Sequence, residues 1–232
     1  IDDFLSDLPT AEADALFDEV TRVLFDLAKE NGTTVIFATD NPRYAFAFGD
    51  KTMVLVGGEI KQIGTHKDMW KTPTTVWSAK AVDPCFNTIK GTLSIENDRL
   101  TFVSSPLNQT FSLDEDGKVV WQDADLYKTI SIDVTEMKDD ILPDFIGKEI
   151  LLGWHGNEFI FTDDGMPLDI AFVKKQGDKI VLVGDYDYEE IKVVVDSTFD
   201  YKNTTRIEVL PAVTNLLFFT ITENSIMRRK RP

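Results

Sequence analysis

Apolar residues along the first third of the chain follow two different periods. Ala13, Leu16, Phe17, Val20, Val23, Leu24 and Leu27 recur at helical spacing, with Asp14, Asp18, Glu19, Arg22 and Lys29 between them. That pattern predicts one amphipathic helix over 10–30, with Thr10 as N-cap and Asn31-Gly32 as its stop. Thr33 to Ala38 is a short, β-branched apolar run and predicts a buried parallel strand. A second helix is expected to begin at Asn41-Pro42 and run from Tyr44 to Phe48. Strands at Lys51–Val56 and Glu59–Ile63 flank Gly57-Gly58, a hairpin signal. A short helix follows from His66 to Lys71. Strand, helix, strand, helix, strand is the order of half an open α/β sheet.

The pattern changes at Asp83-Pro84. Short alternating segments take over: Thr88–Ile95, Arg99–Ser104, Gln109–Leu113, Lys118–Trp121, Thr129–Asp133, Glu149–Gly153, Glu158–Thr162, Leu168–Lys174, Lys179–Gly184, Tyr188–Val195, Arg206–Leu210 and Leu216–Thr220. Turn residues separate many of them, at Asn97-Asp98, Asp116-Gly117, Asp163-Asp164-Gly165 and Gln176-Gly177-Asp178. Such spacing predicts an all-β barrel or sandwich. The fold class expected is therefore α/β followed by all-β, divided into 1–82 and 83–232.

Composition sharpens this picture only in places. The 232 residues suffice for one large or two modest domains with real cores. A net charge of −16 argues against nucleic acid as a partner, because phosphate binding needs a basic face. The one basic run, Arg228-Arg229-Lys230-Arg231, reads as a solvated end rather than a lipid contact. A single cysteine, Cys85, allows no internal disulfide, as suits the cytosol, and it lacks an evident activating base. No stretch reaches ~18 uninterrupted apolar residues, and no signal peptide is legible. The chain opens without Met inside what reads as a core strand, which suggests a piece of a longer protein.

That opening, Ile1-Asp2-Asp3-Phe4-Leu5-Ser6-Asp7-Leu8-Pro9, carries the candidate chemistry. Two carboxylates at the end of a buried strand are costly unless they hold a cation or activate water. The bland alternative is a solvated loop with an N-cap. Taken with Ala38-Thr39-Asp40-Asn41 and Gly64-Thr65 through Asp68-Met69-Trp70, Pro73 and Ala79, the stretch resembles the second half of an ABC transporter ATPase. Ile1-Asp2-Asp3 resembles the end of a Walker B strand, Leu5-Ser6-Asp7-Leu8-Pro9 the D-loop, and Thr39-Asp40-Asn41 the switch loop. The segment after Gly64 resembles the tail of importer ATPases of the maltose and glycerol-3-phosphate class. Asp83-Pro84-Cys85-Phe86-Asn87 resembles the link that those proteins place before a regulatory domain.

The resemblance implies a RecA-like α/β nucleotide-binding domain followed by an oligonucleotide-binding-type (TOBE/MOP-like) β-barrel regulatory domain. It implies ATP and Mg2+ in the intact protein, with Asp2 holding the metal through its water shell and Asp3 polarising the attacking water. Ser6 and Asp7 would border the nucleotide, and Asp40 would face the γ-phosphate. Implied partners are a second ATPase subunit and transmembrane permease subunits, with the protein peripheral on the cytoplasmic face of the inner membrane. The transported solute would be a sugar or polyol such as glycerol.

Three departures stand out. Asp3 occupies the place of the family's Glu and is one methylene shorter. Asp40 occupies the place of a His, and a carboxylate donates no hydrogen bond unless protonated. Gly153-Trp154-His155-Gly156-Asn157-Glu158 falls where relatives carry Gly-x-Arg-Pro-Glu-His, without the Arg and Pro. The Gly-x-x-x-x-Gly-Lys-Ser/Thr phosphate loop is absent, so this chain alone is not expected to bind ATP usefully. A non-enzymatic regulatory or dimerisation module with a vestigial site is one alternative, and a small-anion-sensing barrel another. The shortage of Lys and Arg in the β half argues against the second. Subunit contact is expected near Leu216-Leu217-Phe218-Phe219. His66 and His155 lie in unrelated segments and predict no zinc site. Trp154, Phe159 and Phe161 are candidates for stacking on a sugar, with core packing as the commoner role of such residues. Acidic turns at Asp163-Asp164-Gly165 and Asp185–Glu190 are candidates for calcium, or simply solvated.

Overall fold

A computed structural model describes residues 10–106, 109–116, 118–123 and 128–227. The helical period over 10–30 produces α1, Thr10–Asn31. Phe17 turns inward from it to stack on Tyr44, with centroids 4.1 Å apart, and meets Phe37 edge-on at 6.3 Å. Tyr44 belongs to α2, Pro42–Phe48, whose N-cap Asn41 accepts from the Arg43 N–H. Between these helices, of the expected strand over 33–38 only Ala38 takes part in a β-bridge, and residues 33–37 are irregular. Val35 and Ile36 are exposed, Ile36 by 83%. A parallel strand persists only where neighbours take its N–H and C=O groups and cover both faces. Among the described residues no strand is paired with this run.

Gly57 and Gly58, both at positive φ, turn β1 (Thr52–Val56) back onto β2 (Glu59–Gly64) as anticipated. Next comes α3, His66–Lys71, which opens with a capping box. The Asp68 N–H donates to Thr65 Oγ1, and the Thr65 N–H donates to the Asp68 carboxylate. A helix without a forecast, α4, spans Val76–Val82 and is capped by Thr75. Val54, Met69 and Val82 bury one small core between hairpin, α3 and α4. Between residues 10 and 82 the described elements are thus four helices and one antiparallel hairpin, with no parallel sheet among them.

From Asn87 onward the described elements are all strands, apart from short 3-10 turns. β3 (Asn87–Glu96), β4 (Arg99–Ser104), β5 (Gln109–Leu113), β6 (Val119–Asp123) and β7 (Ile130–Asp133) lie close to the forecast segments. So do β8 (Glu149–Trp154), β10 (Lys179–Tyr186), β11 (Glu189–Asp196), β12 (Arg206–Pro211) and β13 (Leu217–Thr220). One forecast fails here. The two segments on either side of Asp163-Asp164-Gly165 are a single strand, β9, Phe159–Gln176. Phe161 pairs with Val209 and Pro167 with Glu208, so the residues between them bulge without reversing the chain. Gly165 lies in the bulge because a Cβ there would come within 2.5 Å of the Val209 carbonyl oxygen.

The strands form an antiparallel sheet in the order β13-β8-β3-β4-β7 and another in the order β11-β10-β9-β12. A shared core joins them, with Phe102, Leu93, Leu152 and Phe218 from the first sheet and Leu168, Leu182, Val193 and Val209 from the second. The described protein is therefore mostly β-sheet with a few helices. Leu216, Leu217, Phe218 and Phe219 are all core residues, at most 7% exposed, so they are not available as a contact surface. Leu217 and Phe219 instead pack with Phe86 and Leu151 against Val76 and Ala79 of α4. Main-chain bonds fasten the same joint, from Val76 N to Glu223 O (3.0 Å) and from Ser225 N to Thr74 O (2.9 Å).

Candidate functional site

Asp2, Asp3, Ser6 and Asp7 lie outside the described residues, so the structure locates only Asp40 of the five expected site positions. Asp40 is exposed on the turn that feeds α2. The Asn41 N–H donates to Thr39 Oγ1 (3.1 Å), and Asn41 caps the helix. The Phe37–Phe17–Tyr44 cluster anchors that turn to α1 and α2. Its carboxylate can repel an anion or accept a hydrogen bond. It cannot donate one while ionised.

The most elaborate polar cluster lies elsewhere, where the helical segment meets the β half. His155 follows β8 directly and is 1% exposed. Its Nδ1 is 2.9 Å from Asp83 Oδ2, and its Nε2 is 3.1 Å from the Trp70 carbonyl oxygen. The imidazole lies flat on the Trp70 indole, with centroids 3.6 Å apart and planes 1° from parallel, and Phe86 meets it edge-on. Asp83, just past α4, also accepts from the backbone N–H groups of Cys85 (2.8 Å) and Gly156 (3.3 Å). Gly156 is required there, since a Cβ would come within 2.7 Å of Cys85. One side chain thus joins α3, the segment after α4 and the end of β8.

Glu158 completes the cluster. Its Oε1 accepts from Asn215 (2.8 Å), while its Oε2 is buried with no hydrogen-bond partner. Burial raises its pKa above the usual carboxylate range, against the opposing attraction of His155. Burial and the negative charge of Asp83 likewise push the Cys85 thiol up, so Cys85 is not an activated nucleophile.

Sequence reasoning placed His155 and His66 in unrelated segments and treated Asp83 as a linker residue. The structure unites His155, Asp83 and Trp70. His66 packs on Phe46, with centroids 4.7 Å apart, and meets Trp70 edge-on at 6.0 Å. A histidine set between glycines at the end of an apolar strand was the available signal, but its partners lie 72 and 85 residues away in sequence. Trp154 is core, 2% exposed. Phe161 is 51% exposed and stacks on Phe199 at 5.7 Å, with Phe159 edge-on to it. Asp163, Asp164 and Gly165 lie inside β9, and Asp187-Tyr188 forms the positive-φ turn between β10 and β11. No group of three or more His, Cys, Asp or Glu suited to a metal ion occurs among the described residues. Nor is any helix among them long and apolar enough to cross a membrane.

No family model matches the chain. It is 27% identical over 206 residues to the spermidine/putrescine import ATP-binding protein PotA of Aster yellows witches'-broom phytoplasma, covering 88% of this chain and 45% of that protein. The sn-glycerol-3-phosphate import ATP-binding protein UgpC 1 of Rhizobium johnstonii is 27% identical over 195 residues, covering 79% and 51%. The xylose/arabinose import ATP-binding protein XacK of Haloferax volcanii is 33% identical over 107 residues, covering 45% and 28%. The relatives are thus import ATP-binding proteins, and the solutes in their names range from polyamines to sugars. The chain spans about half the length of the curated relatives it matches. A solved structure of the molybdate-binding protein ModG aligns with 58% of this chain and 95% of its own at 10% identity. Its TM-score of 0.34 is too low to carry an argument.

Proposed function

We propose that this chain is the second half of an ATP-binding subunit of an ABC importer, coupling ATP hydrolysis to solute transport. The observation that carries this reading is the reach of the similarity. It covers 79–88% of the chain in the longest matches, and so takes in the helical segment and the β half together. In the intact protein Asp2 would hold Mg2+, Asp3 would orient the attacking water, and Ser6 and Asp7 would border the site. Asp40, in place of a donor to the γ-phosphate, weakens that site. A second, different ATPase subunit then supplies the competent one. The pair works on the cytoplasmic face of two permease subunits, with residues 83–232 as an OB-type regulatory domain beside the ATPase domain. The solute is a sugar or polyol such as glycerol, a reading supported by the tail from Gly64 to Ala79.

Affinity purification of the full-length protein from its native membrane, followed by mass spectrometry, tests the arrangement. The expected result is permeases together with a second ATPase chain. Permeases with two copies of this chain alone would overturn the asymmetric pair, and absence of permeases would overturn the importer reading. Solute-stimulated ATP turnover of the reconstituted complex, compared between glycerol, sugars and polyamines, tests the solute class.

A further inference from the structure

We infer that His155 is a proton-operated clasp between α3 and the β half, closed when its imidazole carries both ring protons and half-released when it carries one. The argument is one of donors and acceptors. Nε2 faces a backbone carbonyl, which only accepts, and Nδ1 faces a carboxylate that accepts while ionised. Both contacts are satisfied together only by an imidazolium. A neutral imidazole has one N–H, and the bond to the carboxylate is the stronger of the two. The proton therefore stays on Nδ1, the Nε2 lone pair is left facing the Trp70 carbonyl oxygen, and the two repel. At 1% exposure His155 is shielded from the bulk solvent that would relieve that opposition at the surface.

The charged surroundings are few. Asp83 from the segment after α4 and Glu158 from the loop of His155 itself are the acidic groups that act on it. Cys85 lies beside Asp83, with Lys174 of β9 and Lys192 of β11 beyond it. Lys192 donates to the Pro84 carbonyl. His66 of α3 meets Trp70 edge-on and packs on Phe46. Release of the Trp70 carbonyl loosens α3, whereas α4 keeps its own main-chain bonds to residues 223–225. This inference does not depend on the nucleotide site.

The chain has two histidines, so a nitrogen-15 imidazole spectrum resolves them, with a His66→Asn variant for assignment. The spectrum and the amide protection factors of residues 69–72 are recorded from about pH 5 to about pH 9, the range in which histidines commonly titrate. The expected result is a doubly protonated His155 at the acid end and an Nδ1–H tautomer at the alkaline end. Protection in α3 should fall about tenfold across that change, the fold-change for loss of one hydrogen bond of this kind. In Asp83→Asn the carboxamide donates to Nδ1, so a neutral Nε2–H imidazole satisfies both sides and the step in α3 protection disappears. If that variant fails to fold, His155→Gln, which does not titrate, should likewise abolish the step. A His155 that keeps one proton state throughout, or an α3 step that persists in either variant, overturns the clasp.

Discussion

Replacing Val76 by Ala measures how firmly α4 belongs to the β half. Val76 is 2% exposed and sits with Ala79 against Phe86, Leu151, Leu217 and Phe219. The substitution removes two carbons from a filled space, about 1.6 kcal/mol of transfer free energy at roughly 0.8 kcal/mol per carbon. The cavity left behind brings the loss to about 2–3 kcal/mol. Trp77, the next residue, is 46% exposed and serves as a control. Trp77→Ala should cost less than about 1 kcal/mol despite deleting far more atoms. The assay is urea denaturation of the full chain, following the transition of the β half by far-UV circular dichroism. A double-mutant cycle with Leu217→Ala should give a coupling of about 0.5 kcal/mol or more, as expected of residues in contact. A loss below about 0.5 kcal/mol for Val76→Ala, or zero coupling to Leu217, would refute the packing argument. By the same reasoning, a β half beginning at residue 73 should be more resistant to urea than one beginning at residue 83.

Gly153→Ala places a Cβ 2.6 Å from Phe86 and 2.9 Å from Phe219, and should cost about 1–3 kcal/mol by overpacking, readable in the same denaturation assay. Glu158 has a raised folded-state pKa, so the folded state holds its proton more tightly than the unfolded chain does. Its contribution is fully present below the unfolded value of 4.5 and is lost as pH rises through the folded one. Glu158→Gln should therefore gain stability relative to the parent as pH rises from the unfolded value of 4.5 through the raised folded one, and an unchanged difference would count against the buried, unpartnered Oε2 as the cause. On the function proposed above, Asp40→His in the intact protein should raise ATP turnover by supplying a donor toward the γ-phosphate, and unchanged turnover in a phosphate-release assay would remove Asp40 from that role.

Much of the architecture was legible because local signals and tertiary packing agree. α1 follows from its spacing of apolar residues, the β1–β2 hairpin from Gly57-Gly58, and most β-half strands from alternation between turn residues. The misses share a cause, which is dependence on distant chain. The run 33–38 has strand composition, but a strand also needs neighbours. Asp163-Asp164-Gly165 has turn composition, yet the approach of Val209 makes it a bulge within β9. α4 has only seven residues, too few to show a stripe, and its stability comes from packing on Phe86, Leu151, Leu217 and Phe219 and, through Val82, on Val54 and Met69. The candidate site divides in the same way. Asp40 was singled out by its place between Thr39 and Asn41, whereas the Asp83–His155–Trp70 joint is made entirely by the fold.

The dependence of α4 on residues 217–225 also sets an order of events during synthesis. Ala79 leaves the ribosome roughly 140 residues before Phe219, which at about 5–20 residues per second is a delay of about 7–28 s. The strands from β3 to β12 can begin to pair during that interval, and Val76 and Ala79 can meet Phe86 and Leu151, but Leu217 and Phe219 complete their socket only when β13 emerges. β13 therefore closes the joint beside the linker, and a lesion at residues 217–225 would act on a helix synthesised long before it.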